Sequence, residues 1–134
     1  MKKNSNSHVK PCSILIVEDH DTLRDSLRKW LTASFPDCAF FDVKNGEDAV
    51  DIAKVKRPNI VIMDIGLPGI SGIEATQQIR HALPETQVII LTIHDAQDYR
   101  KDAAQAGAFA FIPKHKMYEK LIPLISNLMA NKQE

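Results

Sequence analysis

No apolar run in these 134 residues approaches the ~20 that a helix needs to cross a bilayer. The first ten residues are polar and basic, without the apolar stretch of a secretory signal, so a cytoplasmic protein without membrane contact is the expectation. Neither sign of charge dominates: Lys plus Arg and Asp plus Glu both total 17. That balance removes the broad electrostatic case for nucleic acid or an acidic substrate. No GxGxxG and no GxxxxGK[ST] occurs, which disfavours nucleotide binding. Cysteine is scarce. Cys12 and Cys38 are too few for a disulfide framework and too widely separated for a CxxC or metal-knuckle motif. The reducing compartment favours free thiols for both. Among His8, His20, His81, His94 and His115, no two share one helix at i, i+3 or i, i+4, so no helical His metal site is predicted.

What is present is regular. Residues 1–11 have a Lys/Asn/Ser composition with no apolar face to dock and are expected to form a flexible leader, followed by one domain over residues 12–134. Segments 13–17, 59–63 and 87–92 are nearly continuous β-branched runs, the pattern of strands buried on both faces. Weaker runs at 39–43 and 108–112 complete five. Helical spacing fills the intervals. Leu23, Leu27, Trp30 and Leu31 form one stripe over residues 20–34, with Arg24, Asp25, Arg28 and Lys29 on the other side. A second helix over 47–56 uses Ala49, Val50, Ala53 and Val55, and Pro58 ends it by pushing Arg57 out of the α region. A third follows Ser71 and Gly72, with Ile73, Thr76 and Ile79 inward, and stops before Pro84. The fourth, 96–106, has a thin apolar face that predicts weak anchoring, and Gly107 serves as its left-handed terminator. The fifth, 118–131, buries Leu121, Ile122, Ile125, Leu128 and Met129. Pro123 within it predicts a kink or a delayed start.

Alternation of five strands and five helices predicts an α/β class fold, (βα)5, joined by right-handed crossovers. The flavodoxin-like three-layer sandwich, with a five-stranded parallel sheet in the order 2-1-3-4-5, is the expected arrangement, and its ligands bind beyond the carboxyl ends of the strands. At those ends the sequence places Glu18 and Asp19, Asp64, Thr92 and Lys114. Two carboxylates ~4 Å apart repel by ~4 kcal/mol at an effective dielectric of 20. A cation must therefore offset the three acids, and a hard ion such as Mg²⁺, held by carboxylates, waters and a phosphate, suits them. Each residue alone reads as a cap or a solvated loop residue. Asp64 resists that reading because it ends an apolar strand several residues before the next helix begins. In the same topology Cys12 and Cys38 open neighbouring strands at the opposite end, close enough for a bridge were the compartment oxidising. His20 and His94 fall at the pocket rim, where solvation is expected rather than ligation.

Four stretches in order carry a resemblance: Ile-Leu-Ile-Val-Glu18-Asp19-His; Val-Ile-Met-Asp64-Ile-Gly-Leu-Pro68-Gly69-Ile-Ser-Gly72; Ile-Ile-Leu-Thr92; and Ala106-Gly107-Ala-Phe-Ala-Phe111-Ile-Pro-Lys114. Over residues 13–129 the chain resembles the response-regulator receiver domain of two-component signal transduction, in the branch usually fused to helix-turn-helix outputs. The resemblance implies that Asp64 accepts a phosphoryl group from a sensor histidine kinase or a histidine phosphotransfer protein. It implies Mg²⁺, or another divalent cation such as Mn²⁺, on Asp19, Asp64 and the backbone carbonyl of Gly66, with Glu18 acting through water. It gives Lys114 and Thr92 to the phosphoryl oxygens and Phe111 to an aromatic switch. Such a domain is not a conventional enzyme, although it catalyses its own phosphorylation and dephosphorylation. Its switched surface comprises the fourth helix, fifth strand and fifth helix; phosphorylation-dependent homodimers and a DNA-binding output beyond these residues accompany that pattern. Gly66 and His94 occupy positions that tune phosphoryl lifetime. Pro113 precedes Lys114, where many relatives place the proline after it, which leaves the isomer of the Ile112–Pro113 bond open.

Two other classes remain as alternatives. A haloacid-dehalogenase-type phosphatase also uses a strand-end Asp, but Asp64-Ile65-Gly66-Leu67-Pro68 lacks the second Asp and the Thr of that family's motif. A non-phosphorylated interaction module with the same fold would show no Mg²⁺ response.

Overall fold

A computed structural model of the chain describes residues 12–93 and 97–133. The leader expected over residues 1–11 and the rim residue His94 lie outside the described residues. In chain order the elements are β1 (Ser13–Val17), α1 (Asp21–Ser34), β2 (Ala39–Val43), α2 (Gly46–Lys56), β3 (Ile60–Met63), α3 (Gly72–Ala82), β4 (Gln87–Thr92), α4 (Gln97–Gln105), β5 (Ala110–Pro113), a 3₁₀ turn (Lys114–Lys116) and α5 (Met117–Gln133). The strands form one parallel sheet in the order β2-β1-β3-β4-β5. This is the doubly wound flavodoxin-like arrangement that the alternation predicted.

Period two along the strands divides the core. Ile14, Ile16, Ile60, Ile62, Ile89 and Leu91 face α1 and α5, meeting Leu27, Leu31, Leu121 and Ile125. Leu15, Val17, Val61, Met63, Val88 and Ile90 face the opposite layer, meeting Ala49, Val50, Ala53, Ala75 and Ile79. Because both faces are covered, the central strands read as continuous apolar runs, and β3 is buried throughout. Fully burying side chains of this size contributes about 1.5–3 kcal/mol each.

Several local expectations are corrected. Arg24 is not on a free surface: its side chain is only 13% exposed. Val55 is exposed rather than part of the α2 stripe, which rests on Ala49, Val50 and Ala53. Arg57 does leave the α region, but into the left-handed one (φ 49°, ψ 60°), where its N–H closes on the Ala53 carbonyl. The helix α5 is not delayed; it begins at Met117 and runs through Pro123. Pro123 lies on the exposed face, where water can reach the Glu119 carbonyl that the missing N–H leaves open. No described peptide bond is cis, so Ile112–Pro113 is trans. As predicted, α4 is thinly anchored, with Ala103 its one buried residue, and Gly107 beyond it has positive φ.

The cysteines overturn the free-thiol expectation: Cys12 and Cys38 are disulfide-bonded. The cause is register. Ser13 pairs with Ala39, and the Ala39 N–H donates to the Cys12 carbonyl at 2.9 Å, which brings the two Cα atoms to 4.8 Å. That separation is within the range a disulfide spans. The bond staples the start of β1 to the start of β2, at the sheet end away from Asp64.

Candidate functional site

Parallel strands deliver all their carboxyl ends to one edge, and the ladder extends one residue beyond two of them. The Glu18 N–H donates to Val43 O and the Asp64 N–H to Val17 O, both at 3.1 Å. These bonds hold the two acidic residues as rigidly as strand residues. Glu18 (2% exposed), Asp64 (7%) and Thr92 (0%) are buried, whereas Asp19 is exposed. Lys114 opens the turn after β5, and its Nζ lies 3.0 Å from Glu18 Oε1 and 3.8 Å from Asp64 Oδ2. The ammonium is therefore closer to Glu18 than to Asp64. Glu18 divides its oxygens: Oε1 accepts from Lys114, and Oε2 accepts from the His20 backbone N–H at 3.1 Å. Ligand atoms of Glu18, Asp19 and His20 all lie within 4.8 Å of one another.

Asp64 Oδ1 is buried without any hydrogen-bond partner. An orphaned carboxylate oxygen is costly unless something outside the chain meets it. Asp64 lines a cleft of ≈ 290 Å³ together with Asp19, His20, Gly66 and Lys114. Three carboxylates against one ammonium leave a deficit of positive charge, and the donor set is oxygen-rich, which fits a hard divalent cation. Thr92 reaches the same edge at the end of β4, paired in register with Pro113. Phe111 stands apart. It is half-buried against the α2/α3-side core, and the Arg100 guanidinium lies 4.6 Å from its ring centroid.

The loop from Asp64 to α3 is clamped from two sides. The Ile65 carbonyl accepts from both Leu67 and Gly72 N–H at 2.9 Å. A methyl group on Gly72 would stand 1.9 Å from the Asp64 carbonyl oxygen, so only glycine allows this approach. From α2, the Glu47 carboxylate accepts the Ile70 N–H at 3.1 Å, and a Cβ on Gly46 would come within 2.7 Å of Ile70. Asn45 caps α2 by accepting the Asp48 N–H. The role of the Lys44-Asn45-Gly46 turn in holding the Asp64 loop was not legible in the sequence. Arg24 was the other omission. Its guanidinium donates to the Glu18 carbonyl at 2.9 Å and to Asp21 at 2.7 Å, and stands 3.6 Å from Asp42. The Arg24 hydrogen bond, aided by the charges of Lys44 and Arg24, holds the exposed Asp21 carboxyl below its ordinary pKa. A second arginine, Arg28, also pairs with Asp42 and thereby ties α1 to β2.

A doubly wound parallel sheet whose strand ends converge three acids, a lysine and a buried hydroxyl on one edge defines a class of acidic-pocket α/β domain. The chain belongs to the response regulator receiver domain family, which it matches over residues 14–126. Bacillus subtilis YxjL, described as a transcriptional regulatory protein, is 31% identical over 112 residues, covering 84% of this chain and 51% of the relative. A DNA-binding response regulator of the LuxR family from Staphylococcus aureus superposes with a TM-score of 0.80 at 30% identity, covering 88% of this chain and 98% of that one. TrrA of Thermotoga maritima, solved in complex with Mg²⁺ and BeF, superposes at 0.77 with 29% identity over 87% of this chain and 98% of its own. The resemblance to the branch with DNA-binding outputs is thus supported, and the phosphatase alternative falls away. The chain spans about half the length of the curated relatives it matches. No described helix is long and apolar enough to cross a membrane.

Proposed function

We propose that this receiver domain is a phosphorylatable switch in which Asp64 is the acceptor. An Asp64 carboxylate oxygen attacks the phosphorus of a phosphohistidine on a sensor histidine kinase or phosphotransfer protein. The N–P bond breaks, the imidazole leaves, and an acyl phosphate forms on Asp64. The observation that carries this reading is the buried, unpartnered Oδ1 of Asp64, a residue that lines one cleft with Asp19 and Lys114 and whose other oxygen lies 3.8 Å from the Lys114 ammonium. Phosphoryl transfer requires in-line positioning and charge neutralisation more than it requires a general base.

The residues fit Mg²⁺, or Mn²⁺: Asp19, Asp64 and the Gly66 carbonyl would hold it directly and Glu18 through water. Bound there, the cation would supply positive charge to neutralise phosphoryl oxygens. Lys114 moves its charge from Glu18 and Asp64 toward the new phosphoryl group, and the Thr92 hydroxyl donates to a phosphoryl oxygen. Phe111 follows Thr92, changing the surface of α4, β5 and α5. Kinase recognition, phosphorylation-dependent homodimerisation and coupling to a DNA-binding output belong to the same proposal, as does action in the cytoplasm. The domain turns over no separate substrate; it catalyses gain and loss of its own phosphoryl group. Incubation with acetyl phosphate and Mg²⁺ should add one phosphoryl group by intact mass. Addition that is unaffected by EDTA would refute the metal assignment.

A further inference from the structure

We propose that Cys12 and Cys38 form a reversible thiol–disulfide exchange site, opened by a dithiol reductant and closed by its oxidised form, whose state sets the stability of the domain. The site lies at the sheet end away from Asp64 and goes beyond the phosphorylation reading. Backbone contacts that involve neither sulfur bring the partners together. The Ala39 N–H donates to the Cys12 carbonyl at 2.9 Å, the Cys38 N–H to the Phe35 carbonyl at 3.1 Å and the Ser13 N–H to Asn59 Oδ1 at 2.8 Å. With the Ser13–Ala39 register, these bonds hold the two Cα atoms close whether or not the sulfurs are joined. Thiols fixed in that way close as an intramolecular reaction, which outpaces capture by a separate thiol. The chain has no third cysteine to compete.

The bond is also within reach of a reductant. Both cysteines are half-buried rather than sealed, and accessible disulfides are the labile, regulatory ones. Nor does the core depend on the bond. Each cysteine precedes the first residue of its strand, and neither is among the buried residues of the two core layers. The reduced chain therefore keeps its sheet and loses the constraint that the bond places on the unfolded state. In a reducing compartment, disulfides are mostly transient or redox-sensing, which suits the cytoplasmic action proposed above. In the exchange, one thiolate of the dithiol attacks a protein sulfur; its new S–S bond forms as the Cys12–Cys38 bond breaks, and the displaced cysteine leaves as a thiolate. The second thiolate of the reductant then attacks its own first sulfur and releases the other cysteine. Two electrons pass from the dithiol to the protein. The reductant ends as an intramolecular disulfide, and its two protons end on Cys12 and Cys38.

Equilibration of the native protein in graded ratios of reduced to oxidised dithiothreitol, followed by alkylation and intact mass measurement, tests this. Two species should share the population, one unlabelled and one doubly labelled, and the labelled fraction at each ratio should be the same from either direction. The melting temperature should fall in step with that fraction. Cys12→Ser should melt like the fully reduced wild type and ignore the ratio. No labelling of the native protein at the most reducing ratio, failure of the reduced chain to close again, or a melting temperature indifferent to the labelled fraction overturns the proposal. A Cys12→Ser variant whose melting still follows the ratio does so as well. None of these measurements uses acetyl phosphate, so a failure of exchange and a failure of Asp64 phosphorylation are told apart.

Discussion

Replacing Gly72 by Ala sets a small local gain against a large steric cost. The added Cβ would sit 1.9 Å from the Asp64 carbonyl oxygen, 2.7 Å from its carbonyl carbon and 2.9 Å from Ile65 Cα, where ordinary contact begins at 3.4 Å. The carbonyl must therefore retreat by 3.4 − 1.9 = 1.5 Å, and all three obstructing atoms are backbone. Retreat strains the Gly72 N–H bond to Ile65 and the Asp64 N–H bond to Val17. Alanine gains at most ~1 kcal/mol of helix propensity at the start of α3. Overpacking costs about 1–3 kcal/mol, and a weakened buried hydrogen bond adds ~1 kcal/mol. The steric side prevails, and Gly72→Ala should lose about 1–3 kcal/mol in urea unfolding, lowering the melting temperature by roughly 5–10 °C. Because the displaced backbone carries Asp64, the initial rate of phosphorylation by acetyl phosphate should fall about 100-fold, the usual consequence of a 1 Å misplacement. A variant within about 0.5 kcal/mol of wild type that is phosphorylated at the normal rate would refute the claim that α3 fixes Asp64 through this contact.

Lys114→Gln removes the ammonium beside two buried acids; discounting the upper values for breaking a buried pair because Lys114 is 15% exposed, the metal-free protein should lose ~2 kcal/mol. Mg²⁺ should stabilise this variant more than wild type, since it replaces the missing cation, and equal Mg²⁺ responses in paired melts would contradict that. Reducing the Cys12–Cys38 bond, which closes a separation of 26 residues, should cost up to ~3.5 kcal/mol in the chain-entropy view. Alkylation of both thiols without reductant, or identical melts with and without dithiothreitol, would contradict the bonded state. Asp21 has a depressed folded pKa, so its stabilisation is present above the unfolded carboxylate pKa and is lost as pH falls through the lower folded value. A carboxylate NMR titration should place its midpoint below the ordinary range in wild type and return it toward that range in Arg24→Gln.

The sheet was legible because its central strands are buried on both faces, so Ile14 to Val17, Ile60 to Met63 and Val88 to Leu91 admit few polar residues. Their ends were legible for the opposite reason. Glu18, Asp64 and Thr92 are polar residues that the chain buries, and the doubly wound order brings them with Lys114 to one edge. What stayed hidden depends on distance across the fold. Arg24 looked like one of four solvated residues on the outer side of α1, but β2 places Asp42 beside it and the turn after β1 places the Glu18 carbonyl beneath it. Glu47 looked like a first-turn helix acid, and only the close passage of the 65–72 loop gives its carboxylate the Ile70 N–H. The proximity of Cys12 and Cys38 was legible from the strand order, and the bridge was missed only because the thiols were judged by compartment. Val55 matched the helical period but falls at the exposed edge of a face already filled by Ala49, Val50 and Ala53.

The central claim is that Asp64 carries the phosphoryl group. Borohydride reduction of the protein treated with acetyl phosphate and Mg²⁺ converts an aspartyl phosphate to homoserine, which peptide mass spectrometry can locate. Homoserine at position 64 in the wild type, with no phosphoryl gain in Asp64→Asn, is the predicted result. Homoserine at Asp19 or another carboxylate, or undiminished labelling in Asp64→Asn, would contradict it.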